Sequence, residues 1–247
     1  MSETKTIAIG GILLAALAAL IGLSYFLPAP QEEAPQVTIE LPNVFDGVVL
    51  TGEAAVVYDV QANEVLYGKR EEAQLPLASV TKLLTAYTAT EVLGENKYIQ
   101  ITSEDLLPEG DSGLLVSETW KVGDLARFSL INSSNDASEA LARALSESRG
   151  HAAATILSQA ASELSLAQTF ALNGSGLDTT RSTSGGYGSA KDIAMLLGKI
   201  YEDNRSLLLD SSKPFDTFTS AEGFRHSAST TNDLATVLPQ LVGAKTG

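Results

Sequence analysis

The chain has 247 residues, 44% of them hydrophobic and 19% charged, which suits one sizeable domain plus an appendage, or two small domains, and excludes a disordered chain. A formal net charge of -14 without any cluster of Lys and Arg argues against a nucleic-acid partner and reads as a self-repelling, soluble surface. The lack of cysteine removes disulfides, thiolate zinc sites and cysteine nucleophiles together, and two distant histidines with no H-E-x-x-H give no basis for a metal or other cofactor.

Residues 1–5 form a short tail. Thr6–Leu27 then runs without a charge and, as a helix, would span about 33 Å, enough for a bilayer core. Tyr25 and Phe26 sit where interfacial aromatics are expected. The alternative is a cleaved signal peptide, whose apolar stretch is usually about 7–15 residues. The only candidate cleavage site is the weak one near Pro28-Ala29-Pro30, so a retained transmembrane anchor is the preferred reading. Lys5 and the amino terminus favour the short end inside, with Glu3 opposing, which puts the remaining chain on the extracytoplasmic side of the cell membrane. Residues 28–42, with four prolines and Gln31, Glu32 and Glu33, read as an extended linker. The folded domain is therefore expected over residues 43–247.

Within it, the β-branched run Ala54–Val60, the turn Gln61-Ala62-Asn63 and Glu64–Tyr67 predict a hairpin. Pro76 breaks the chain. A helix is expected from near Ser79 to about Leu93, with Val80, Leu83, Leu84 and Tyr87 on one face. Further helices are predicted over Val122–Leu130, Asp136–Ser146 and Ala152–Leu164. Another opens at Ser189-Ala-Lys-Asp192, which approximates a capping box, and runs to about Tyr201. Phe215–Thr219 and Gly243–Thr246 read as strand ends. Strands, then helices, then strands predict an α/β domain with a helical insertion between two parts of one sheet.

Three short motifs occur in order. In Ser79-Val-Thr-Lys82, residues three apart share a helical face, so hydroxyl and amine can be neighbours. A serine needs a base to become a nucleophile, and a desolvated lysine can supply one. A helix N-terminus also leaves free backbone N–H groups for a developing oxyanion. Alone the motif is weak, since about one S-x-x-K arises by chance in a chain of this size, and a capping serine followed by a surface lysine has the same spelling. Ser133-Ser134-Asn135 lies between two predicted helices; alone it reads as an N-cap cluster, and in a functional reading Ser133 relays a proton while Asn135 holds a substrate carbonyl. Lys245-Thr246-Gly247 is rarer by chance. A strand edge carrying a cation, a hydroxyl and no side chain can pair with an extended substrate and hold its carboxylate, although an ordinary strand end is also consistent.

The ordered set resembles the penicillin-binding proteins and related β-lactamases, and most closely the low-molecular-mass D-alanyl-D-alanine carboxypeptidases of peptidase family S11. The resemblance extends to Tyr58-Asp59 with Glu64–Tyr67, Leu77–Thr85, Asn132–Ala137 with Ala140–Ala142, Asn173–Leu177, Ser189–Asp192 and Thr231–Leu234, and it covers residues 43–247. It implies a β-lactamase/transpeptidase-like fold, an antiparallel sheet with a helical subdomain. It also implies a peptidoglycan stem peptide as substrate and β-lactams as covalent inhibitors. Ser79 would attack the penultimate D-alanine carbonyl, with Lys82 as base and Ser133 passing the proton on. Asn135, Lys245, Thr246 and Gly247 would bind substrate. In that family the strand bearing Lys-Thr-Gly continues into further strands and a helix, and the second oxyanion donor would lie just past Gly247. The given sequence is therefore expected to be a piece of a longer product, inactive or unstable by itself.

The runner-up is a class A-like β-lactamase, which needs a Glu three residues before a Leu-Asn pair. Here Leu172-Asn173 places Thr169 at that position. A transpeptidase or endopeptidase shares the motifs. A non-catalytic wall-binding or β-lactam-sensing module has no physical need for all five of Ser79, Lys82, Ser133, Asn135 and Lys245. His226 lies near no G-x-S-x-G elbow and reads as a surface or packing residue.

Overall fold

The computed structural model describes residues 44–247 except Pro239, so the predicted tail, anchor and linker lie outside the described residues. Among the described residues no helix is long and apolar enough to cross a membrane. Val48–Gly247 pack as one unit.

β1 (Ala55–Asp59) and β2 (Glu64–Lys69) form the predicted hairpin, with an irregularity between Val57 and Tyr58. Its turn is built by Asp59, whose Oδ1 accepts the N–H groups of Gln61 and Ala62, and by Asn63, which adopts φ 56°. β3 (Leu75–Pro76) leads through a 3-10 turn, Ala78–Val80, into α1 (Thr81–Leu93). β4 (Tyr98–Gln100) and β5 (Thr119–Lys121) pair across a long loop. Then come α2 (Val122–Asn132), α3 (Asn135–Arg149) and α4 (Ala153–Glu163). β6 (Phe170–Ala171) and β7 (Gly186–Gly188) precede α5 (Ala190–Asp203) and α6 (Arg205–Ser211), and β8 (Phe215–Thr219) and β9 (Arg225–Ser229) close a second hairpin.

The secondary structure is α+β with antiparallel pairings throughout the described residues. The single sheet expected from the sequence is not what forms. Among the described residues four small sheets do: β1-β2, β3-β7-β6, β4-β5 and β8-β9. Each leans on helices, β1 on α5 and the β8-β9 hairpin on α2, so the helices supply the apolar partner that a larger sheet would supply. Gly243–Thr246, read as a strand end, joins no ladder. Its Ala244 N–H donates to the Ser211 hydroxyl, a side chain, rather than to a neighbouring strand.

Two local expectations also need correcting. The Ser189 hydroxyl caps α5 by accepting from Asp192 N–H, but Asp192 does not complete a capping box. Its carboxylate accepts from Gln168 N–H and the Thr169 hydroxyl, both at 2.8 Å, and so ties α5 to the approach to β6. The apolar stripe predicted for α1 is not a stripe. Every residue from Thr81 to Thr90 is buried, because α2, α3, α4 and α5 all pack on this helix. Its threonines therefore face protein, and the Thr85 hydroxyl donates to the Gly174 carbonyl at 2.7 Å.

The core continues from α1 through α2 to a ring cluster. Trp120 and Phe128 lie 5.4 Å apart, and Phe128 meets Phe218 edge-on at 5.8 Å. Buried Glu118 accepts the Trp120 indole N–H and bonds His226, so His226 is a packing residue of this core. The loop between β4 and β5 is fastened to α3 by buried Asp105, which takes Arg143 Nε at 2.9 Å and Thr102 N–H at 2.8 Å.

Phe128→Ala removes the ring on which Trp120 and Phe218 both rest. It is expected to lower unfolding free energy by about 3–5 kcal/mol in denaturant titration. A loss under about 1 kcal/mol would show that the cluster does not hold the β8-β9 hairpin to α2.

Candidate active site

Ser79 lies in the 3-10 turn rather than in the α-helix itself, one turn before Lys82 on α1. The spacing does what helical geometry requires: Lys82 Nζ is 2.7 Å from Ser79 Oγ. Lys82 has no exposed surface, and its amine also donates to the Ser175 carbonyl at 2.7 Å. Burial is the main reason its pKa falls to about 7, the positive charge of Lys245 adds to the fall, and the carboxylate of Glu139 opposes it.

The turn bearing Ser79 is held by close backbone approaches. Leu77 N–H donates to the Gly186 carbonyl, which extends the β3-β7 ladder toward the serine. Gly176 adopts φ +80°, and a Cβ there would fall 1.9 Å from the Ala78 carbonyl oxygen. A Cβ at Gly247 would lie 2.9 Å from the Leu77 carbonyl oxygen and 3.0 Å from Val80 Cγ2. Three segments far apart in sequence thus touch the three residues around Ser79.

Ser133 ends α2 with φ 59°, a left-handed conformation that turns its hydroxyl out of the helix. Lys245 Nζ donates to it at 2.8 Å and to the Thr246 carbonyl at 2.6 Å. Burial lowers the Lys245 pKa to about 8. The N-cap reading of the second motif holds for its middle residue: Ser134 accepts from Ala137 N–H at 3.0 Å. The Thr246 hydroxyl bonds that of Thr231.

Asn135 opens α3, and its amide nitrogen donates to the Glu109 carbonyl, so the loop over 109–112 docks on this side chain. Its Oδ1 is buried without a hydrogen-bond partner. Ser112 strengthens the docking by donating N–H to the Asp136 carboxylate and bonding the Ser134 hydroxyl.

The structure therefore brings Ser79 to Lys82, and Ser133 to Lys245, with Gly247 against the Ser79 turn. Two contributors were not singled out by the sequence reading. Ser175 offers a carbonyl to Lys82, and Glu139 accepts the N–H groups of Gly174 and Ser175. Asn173–Leu177 entered the sequence analysis only as part of the family resemblance; its two glycines, and the place of Glu139 one helical turn after Asn135 on the same face, were the available signals. Thr169, weighed for the deacylating Glu of a β-lactamase, gives its hydroxyl to Asp192.

The model of the D-alanyl-D-alanine carboxypeptidase family matches residues 44–247. Among solved structures, the chain is similar to a penicillin-binding protein from Listeria monocytogenes in its cefotaxime-bound form, at 27% identity and TM-score 0.64, covering 81% of this chain and 80% of that one. A D-alanyl-D-alanine carboxypeptidase from Mycobacterium tuberculosis gives 24% identity and TM-score 0.70 over 81% and 76% of the two chains. A mutant Streptomyces DD-transpeptidase gives 18% and 0.69 over 81% and 82%. The last two, below 25%, speak for the fold alone.

Two outcomes check this geometry. Lys245→Gln removes a positive charge beside Lys82, so the Lys82 midpoint should rise from about 7, by about one unit, in an NMR titration of its Cε resonance. Gly176→Ala places a methyl group into the Ala78 carbonyl at a φ that alanine resists, so it should lower the melting temperature by several degrees in a thermal melt.

Proposed function

The chain belongs to the D-alanyl-D-alanine carboxypeptidase family of serine peptidases, and from that premise we propose that it removes the terminal D-alanine of peptidoglycan stem peptides through an acyl-enzyme on Ser79. The observation that carries this reading is a buried lysine amine 2.7 Å from a serine hydroxyl, with a pKa of about 7. A neutral amine is needed to accept the serine proton, and at that pKa a large share of Lys82 is neutral under ordinary conditions.

Ser79 Oγ attacks the carbonyl carbon of the penultimate D-alanine while its proton passes to Lys82 Nζ. The developing oxyanion takes the Ser79 backbone N–H as one donor. The C–N bond then breaks, and the leaving D-alanine nitrogen receives a proton through Ser133, which Lys245 holds at 2.8 Å. Lys245 and Thr246 hold the terminal carboxylate by charge and hydroxyl. Asn135 reaches the substrate amide with the N–H not given to Glu109. Water finally attacks the ester, and the serine proton returns. β-Lactams, with a strained amide beside a carboxylate, would acylate the same serine and leave slowly. The apolar run Thr6–Leu27 supports holding this domain at the outer face of the cell membrane, where its substrate is.

The test is intact-mass analysis of the full chain mixed with penicillin, with Ser79→Ala alongside, and assay of D-alanine release from a stem pentapeptide. A long-lived adduct absent from Ser79→Ala is expected, as is a fall of about 10²–10⁴-fold in acylation for Lys82→Ala. Acylation should rise with pH as Lys82 loses its proton near about 7. It should fall again as Lys245 loses its charge near about 8, with both limbs belonging to the coupled pair. No adduct from folded protein would sink the reading, and an adduct hydrolysed within seconds would make the chain a β-lactamase.

A further inference from the structure

The turn that touches Lys82 is not self-supporting. Asn173 closes it locally, accepting Gly176 N–H at 2.7 Å and donating to the Leu177 carbonyl at 2.8 Å. The N–H and carbonyl groups of its residues Gly174 and Ser175 are then committed in opposite directions. The carbonyls face α1, Gly174 toward Thr85 and Ser175 toward Lys82, each at 2.7 Å. The N–H groups face α3, where Ser175 N–H meets Glu139 Oε1 at 3.0 Å and Gly174 N–H meets Oε2 at 3.4 Å. A Cβ at Gly174 would lie 2.6 Å from both the Ala142 Cβ and the Ser138 carbonyl oxygen, so the turn is seated directly on α3. One carboxylate thus grips the N–H groups of the two residues whose carbonyls grip α1.

Resting on the acyl-enzyme reading above, we propose that Glu139 is a positioning residue for acylation, clamping the 174–175 turn so that the Ser175 carbonyl fixes the Lys82 amine beside Ser79. Glu139 touches neither Ser79 nor substrate in this role. It acts through the turn, which also abuts the Ala78 carbonyl through Gly176. Its charge has a second effect through space. The groups facing Lys82 are Lys245 from the C-terminal segment and Glu139 from α3. The 173–177 turn carries no titratable side chain, and none of the α1 residues next to Lys82 is charged. Arg143, one turn beyond Glu139, is committed to Asp105 and Glu147. Glu139 is therefore the negative charge that tempers the effect of Lys245 on the amine.

The experiment compares acylation rates by a fluorescent penicillin across pH for the full chain and for Glu139→Gln, Glu139→Asp and Glu139→Ala. In Glu139→Gln a negative charge is lost, the ammonium form is less favoured, and the acid limb should move to lower pH by about half a unit or more. The side-chain amide satisfies only one of the two N–H groups, so the plateau should also fall, by about tenfold. Glu139→Asp keeps the charge but not the reach, so its limb stays near the parent's while its plateau drops. Amide hydrogen exchange at Gly174 and Ser175 should quicken in Glu139→Gln, a readout independent of catalysis. Parent-like limb, plateau and exchange in folded Glu139→Gln and Glu139→Ala would overturn the inference while leaving acylation at Ser79 standing. Failure of the parent itself to acylate would overturn both.

Discussion

Taking a lysine amine out of water is unfavourable unless its donors find acceptors or its proton is given up. Lys82 meets both conditions. It is wholly enclosed, it has the Ser79 hydroxyl and the Ser175 carbonyl as partners, and its pKa falls to about 7. An exposed lysine at the same spacing would meet the same serine but would stay protonated. The enclosure of α1 by four other helices is what separates the two cases, so the packing of the core is also the chemistry of the site.

Close approach of backbone to backbone supplies the precision. The 173–177 turn, β7 and the C-terminal Lys-Thr-Gly segment converge on residues 77–80, and each arrives with glycine where a side chain would collide. A Cβ at Gly186 would lie 2.1 Å from Thr81 Oγ1, for instance. These glycines raise the entropy lost on folding, a cost offset by the burial of the helix they seat.

The electrostatics are local rather than global. A chain of net charge -14 repels anions at a distance. Lys245 is nevertheless close enough to the buried Lys82 for its charge to help lower the pKa of that amine, and burial depresses both. Screening confines the wider field to about 8–10 Å at ordinary salt.

The hairpin at the start of the domain and the helices over 122–163 were legible because turn residues and apolar periodicity are local signals. The single sheet and the terminal strand were not. A β-prone segment becomes a strand only when another segment presents its backbone, and the helices take that place here. The capping box at Ser189 half-formed for a related reason: Asp192 found better donors at residues 168 and 169 than in its own helix.

What the sequence determined by itself is which residues share a helical turn. Ser79 with Lys82 follows from their spacing of three, although Ser79 lies in the 3-10 turn that leads into α1. The tertiary structure decided whether that pair is buried, which carbonyl meets the lysine, and which carboxylate steadies the turn that offers it. Lys82 and Ser175 are 93 positions apart, Glu139 and Ser175 36, and Lys245 and Ser133 112. Periodicity has no reach across such separations. Only the packing of helices against one another brings these groups within hydrogen-bonding distance and removes the water that would otherwise keep the amine charged.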